Sequence, residues 1–108
     1  MNWETATGIA FEIGKSKLAE KRMELFRKAV DYARIRVDWQ LSPSEQRLFI
    51  DEARRLAHDA FIETCEAMSR NMQDAGEDVS WKTALGEDRK EIGDFACYLH
   101  LILGLVAR

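Results

Sequence analysis

Apolar residues recur at intervals of three and four along most of this chain. From Ser16 to Gln40 the positions Leu18, Leu25, Phe26, Ala29, Val30, Ala33 and Val37 form one stripe, the signature of a long amphipathic helix. A second stripe, Phe49, Ala53, Leu56, Ala57, Ala60, Phe61, Met68 and Met72, predicts another long helix from Pro43 to about Asp74. Between them lies "LSPSE": Ser42 can cap, Pro43 can open the helix and Glu45 can complete a capping box. Gly76 stands where the second helix must end. No segment shows the alternation of a strand.

The last long element differs in kind. Ile92, Phe95, Ala96, Leu99, Leu103 and Val106 lie on one side of a helix, and Tyr98, Leu101, Ile102 and Leu105 on the other, so no broad polar face remains. Its entrance, Asp88 followed by Glu91, has capping-box spacing. In "AGEDVSWKTALGE", residues 75–87, two glycines bracket a single predicted turn of helix, Ser80 to Leu85, whose Trp81 and Leu85 are free to cover the open end of a bundle. Residues 1–14 read as a short extra helix or a disordered lead-in, since Gly8 and Gly14 weaken the pattern. The sum is an all-α fold: an antiparallel helical bundle of two long helices plus a shorter apolar C-terminal helix, in a single domain of 108 residues. Two neighbouring helices can hardly sheathe a rod that is apolar all round. A homodimer or higher homo-oligomer through residues 92–107 is therefore expected.

Charge and composition narrow the classes. The net charge is −3, which makes general binding to nucleic acid or to a membrane surface unexpected. Residues 15–41 carry eight Lys or Arg against four acids and residues 42–79 nine acids against four Arg, so the two long helices neutralise each other when paired. A basic face from Lys17, Lys21, Arg27 and Lys28 lacks aromatic residues for base stacking. The opening "MNWETATGIAFEIGK" lacks the basic and long apolar regions of a secretory signal. The longest apolar run, Phe95 to Ala107, spans 13 residues, short of the ~20 that a membrane crossing needs. Cys65 and Cys97 form no CxxC pair and suit reduced thiols in a cytoplasmic protein. His58 is expected at the surface and His100 in the core or an interface. Trp3, Trp39 and Trp81 fall at the ends of elements.

Candidate chemistry starts from carboxylates. Glu91 and Asp94 sit about 60° apart at the head of the apolar helix, and "KEIGDFACYL" resembles the second signature of the all-α nucleoside triphosphate pyrophosphohydrolases, the MazG and dimeric dUTPase group. In that family an E-x-x-D helix supplies two Mg²⁺ ligands and an E-E-x-x-E motif on the preceding helix supplies the others. "IETCE" provides Glu63 and Glu66 at the matching spacing, with Ile62 in place of the first Glu. The resemblance covers residues 63–94 and implies a Mg²⁺ site of Glu63, Glu66, Glu91 and Asp94, with phosphates held by Lys82, Arg89, Lys90 or the cations of the first long helix. Against that stands a plainer reading of the same residues. Glu66 points away from the second helix's stripe and can pair with Arg70. Glu91 can cap its own helix. Asp94 can pair with Lys90, or with an Arg across a subunit boundary.

The chain also resembles small helical proteins of bacterial mobile elements, which implies no activity. Two functions from different classes follow: an oligomeric helical-bundle interaction protein without catalytic activity, or a Mg²⁺-dependent nucleoside triphosphate pyrophosphohydrolase.

Overall fold

The computed structural model describes residues 1–106 and is helical throughout, in the order α1 (Trp3–Gly14), α2 (Ala19–Leu41), α3 (Ser44–Asp74), α4 (Ser80–Leu85) and α5 (Arg89–Val106). The lead-in is thus a helix. Asn2 caps it by accepting the Thr5 N–H at 2.8 Å, and Ala6, Ile9, Ala10 and Ile13 bury one face. Gly8 and Gly14 weakened the pattern without breaking it, because packing of this face outweighs propensity.

Two junctions are built differently from the expected caps. Ser42 lies outside α3, and its hydroxyl donates back to the Asp38 carbonyl at 2.7 Å. Pro43 occupies the cap position and no side chain caps α3. Arg47 spans the turn instead, donating to the carbonyls of Trp39, Gln40 and Ser42 and so satisfying the open end of α2. At the α1–α2 turn, Ser16 is buried, donates its hydroxyl to Glu77 at 2.7 Å and accepts the Leu18 N–H at 3.1 Å. Glu77 also accepts the Lys17 N–H at 2.9 Å. One carboxylate therefore ties the start of α2 to the end of α3. Gly76, at φ +76°, turns the chain there as the sequence predicts, in the left-handed region that only glycine enters cheaply.

Early α2 meets late α3, and late α2 meets early α3: Lys21 and Glu24 share a groove with Thr64, Ala67 and Met68, while Trp39 lies beneath Arg47 and Arg54. The other helices pack on this hairpin at one part of its length. α5 runs along α2, and α1 and α4 cover α5 from another side. The core consists of Ile13, Leu25, Phe61, Cys65, Met68, Met72, Trp81, Leu85, Ile92, Phe95 and Leu99 with smaller residues between, and Phe61 and Phe95 stack at 6.2 Å. Trp81 and Leu85 close the bundle as the sequence predicts.

Two expectations about burial need correction. The first half of α5 is enclosed by its own chain, because α1 and α4 supply the cover that two long helices alone do not. Only its second half emerges, with Leu101 53% and Leu105 59% exposed. Residue 107 of the expected interface, and the side chain of Val106, lie outside what is described. The N-terminal half of the α3 stripe does not face inward either: Phe49 is 83% and Leu56 55% exposed, and Ala53 is exposed beside them. No residue from Arg34 to Ala60 is buried. The hairpin thus projects beyond the core that holds its other end.

Candidate functional site

Of the four sequence-predicted carboxylates only Glu91 and Asp94 approach one point, the α-amino group of Met1, at 2.9 and 4.0 Å. Glu63 is exposed beside Lys21 and Glu24. Glu66 turns toward α4 and pairs with Lys82 at 3.5 Å, not with Arg70. Glu91 receives the α-amino group of Met1 at 2.9 Å. Asp94 accepts Lys90 at 3.0 Å and Arg36 at 3.1 Å, so the arginine partner comes from α2 of the same chain. Among the described residues no group of three His, Cys, Asp or Glu is placed to hold a metal ion. Asp88 caps α5 as expected, accepting the Glu91 N–H at 3.0 Å, but Glu91 does not return the bond because it is engaged with Met1.

What the fold does bring together is cationic. Where α2, α3 and the first turn of α5 converge, a cavity of about 350 Å³ is lined by Tyr32, Arg36, Arg54, Arg55, His58, Arg89, Lys90 and Gly93. Helical spacing explains the grouping: Tyr32 and Arg36 are one turn apart on α2, Arg54 and His58 one turn apart on α3, and Arg89 and Gly93 one turn apart on α5. Gly93 permits the close approach, for a Cβ there would stand 3.2 Å from both the His58 Nε2 and the Tyr32 hydroxyl.

His58 is not the surface residue expected. Its side chain is only 12% exposed, it stacks edge-on against Tyr32 at 4.9 Å, and its Nε2 lies 2.9 Å from the Arg89 carbonyl. A carbonyl only accepts, so Nε2 carries the proton and Nδ1 is left to accept from Arg89 at 3.1 Å. The ring is thereby fixed in orientation and tautomer between α3 and α5.

Carboxylates hold the cations from outside the cavity wall. Asp59 accepts Arg89 and Arg55, Glu52 accepts Arg55, Asp51 accepts Arg54, and Asp94 accepts Arg36 and Lys90. The hydrogen bond from Arg89 pulls the Asp59 carboxyl below its ordinary range. Burial on its own raises the Asp94 carboxyl, but the bonds from Lys90 and then Arg36 outweigh it and leave the acid below its usual value. Burial pushes the Tyr32 phenol up, so it remains a neutral donor at neutral pH. Arg54 lies over the Trp39 ring at 4.6 Å, and its Nε is buried without a hydrogen-bond partner.

The phosphate-binding candidates in the sequence include Arg89, Lys90 and, among the cations of the first long helix, Arg36, but not Arg54 or Arg55. A usable signal was present: Arg54, Arg55 and His58 fall within five consecutive residues of α3. It was masked because three acids lie within the same two turns. Comparison with protein-family models, with curated proteins and with solved structures gives no match to this chain.

Proposed function

We propose that this chain is a small helical-bundle interaction protein that associates with a second copy through the emergent half of α5 and the adjoining face of α2. The observation carrying this reading is a cluster of exposed apolar residues there, bordered by Arg36, Gln40 and Asp94. Val37 and Leu101, each about half exposed, line one groove between the two helices together with Tyr98 and Cys97. Leu105 lies one turn beyond Leu101, and Leu41, 80% exposed, one turn beyond Val37. Large aliphatic residues clustered in this way favour a partner over water, at about 25 cal/mol per Å² of apolar area removed. A two-fold axis through the patch uses every such residue twice. A stable interface takes ~800 Å² from each partner, a modest part of the 6829 Å² that the chain exposes.

The exposed α3 stripe, Phe49, Ala53 and Leu56, is the second apolar surface. It flanks a groove formed with Ile35, Ala57 and Ala60. Its i, i+4, i+7 spacing suits a helical partner laid along it.

Sedimentation equilibrium or light scattering at micromolar concentration tests the first surface. The expected result is a dimer that Leu101→Glu converts to a monomer, whereas Phe49→Glu leaves it dimeric. A wild-type chain that stays monomeric across that range overturns the self-association.

A further inference from the structure

The cavity between α2, α3 and α5 shares only Arg36 with the lining of that groove, and its chemistry is different. We propose that it is a binding site for the phosphate group of a small phosphate monoester. Five permanently cationic groups, Arg36, Arg54, Arg55, Arg89 and Lys90, line it together with His58, and no carboxylate does. Their partners behind the wall are four acids, Asp51, Glu52, Asp59 and Asp94. Five minus four leaves the assembly at +1, with the positive ends turned toward the cavity.

Five cations face about 350 Å³ and four carboxylates answer them from behind, so an entering anion meets one uncompensated positive charge and a wall of donors with no carboxylate in it. The arginines are already oriented. Asp59 positions Arg55 and Arg89, Asp94 positions Arg36, and Trp39 supports Arg54 from below. Little side-chain entropy is then lost when ligand binds.

Phosphate, rather than a planar carboxylate, matches donors that converge from three helices, because its oxygens point to the corners of a tetrahedron. Guanidinium groups bind such oxygens in pairs. The volume is near the lower end for small-molecule sites, ~300–1,000 Å³, which suits a phosphate with a small organic group toward the open mouth. A nucleic-acid strand fits less well: its repeated phosphates require a continuous positive track, and on α3 the track is interrupted by Asp51, Glu52 and Asp59.

Isothermal titration calorimetry on the full chain, at constant ionic strength, tests the assignment. The probes are inorganic phosphate, glycerol phosphate, adenosine monophosphate and a short single-stranded RNA without a terminal phosphate. Arg55 and Arg89 have side chains 54% and 61% exposed, so Arg55→Gln with Arg89→Gln removes two anion ligands without opening the core. A melting curve of that variant confirms folding. Lys21→Gln with Arg27→Gln removes the same charge elsewhere. The expected result is saturable binding of both monoesters, weakened at least about tenfold in the Arg55/Arg89 variant and unchanged in the Lys21/Arg27 variant. Equal weakening by both variants reduces the effect to net charge and overturns the site. So does RNA binding while the monoesters stay silent, or the absence of monoester binding at millimolar concentration.

Discussion

Trp81 offers the sharpest test of how the bundle is closed. It belongs to a helix of six residues, yet it is 2% exposed and is the largest fully buried side chain. α4 packs on α1 and α5, so this one indole carries much of the attachment of α1 to the bundle. Truncation to alanine removes nearly the whole ring, and comparable core deletions cost ~3–5 kcal/mol. Against a total of ~5–15 kcal/mol for a domain, Trp81→Ala should remain folded at room temperature. At ~4–8 °C per kcal/mol for a chain near this size, its melting temperature should fall by more than about 12 °C.

Phenylalanine is the informative contrast. The indole Nε1 is buried without a hydrogen-bond partner, and such an orphaned donor costs ~1–3 kcal/mol. Trp81→Phe forfeits ~1–1.5 kcal/mol of apolar transfer but removes that penalty, so the net change should lie between a loss of about 0.5 and a gain of about 2 kcal/mol. Urea melts followed by circular dichroism measure both variants, and amide exchange reads the location. Residues 3–14 should lose protection in Trp81→Ala well before α2 and late α3. If phenylalanine destabilises as much as alanine, or α1 keeps its protection when the ring is gone, the account of α4 as a plug is wrong.

Two further outcomes follow from local electrostatics and burial. Glu77 is held below its ordinary range, first by the Lys17 N–H and then by the Ser16 hydroxyl; a lowered carboxyl stabilises the fold above its unfolded value, ~4.3, and the contribution is lost as pH falls through the folded value. Glu77→Gln should therefore be less stable than wild type in urea melts at pH 7, with the gap narrowing as pH falls below ~4.3, and a gap that does not narrow on acidification refutes the clamp. Burial pushes the Cys65 thiol up to about 12, whereas Cys97 is only half-buried, with Arg36 3.5 Å from its sulfur. In the monomeric Leu101→Glu variant, where the α2–α5 groove is open, iodoacetamide at pH 8 should alkylate Cys97 long before Cys65, as followed by intact mass and peptide mapping; equal rates would show that the core around Cys65 opens freely.

The helices themselves were legible in the pattern, and so were Gly76 as a stop, Ser80–Leu85 as a turn of helix, and Trp81 with Leu85 as its cover. The faces were less so. Phe49, Ala53 and Leu56 form as regular a stripe as Phe61, Met68 and Met72, because helical period reports which residues share a side and not whether anything packs against that side. Including the exposed group turned the inferred inward direction of α3. That is why Glu66, read as pointing to solvent, reaches Lys82, while Glu63 is the residue left exposed. The cationic cavity was hidden for a different reason. Its residues come from three helices separated by up to 61 positions, and each sits among acids that look like ordinary exposed pairs until the helices are assembled.

The proportions of the hairpin bear on function more directly than any single residue. A monomer selected only to fold gains nothing from carrying α2 and α3 beyond the core, since each added turn costs backbone entropy and returns burial only if something packs on it. Here that extension is held by the stack of Trp39 with Arg47 and Arg54 and by the carbonyls that Arg47 caps. Its large apolar residues, Leu41, Leu48, Phe49 and Leu56, lie in water. A helix without tertiary cover is marginal, and these residues return no burial within the chain, which is the ground for the association proposed above. The same extension supplies Arg54 and Arg55 to the cationic cavity and Val37 to the α5 groove. Replacing Phe49 and Leu56 by polar residues, which takes nothing from the core, should therefore leave the melting temperature of the folded chain nearly unchanged, and a loss comparable to that of Trp81→Ala would show that this stripe is covered within the chain.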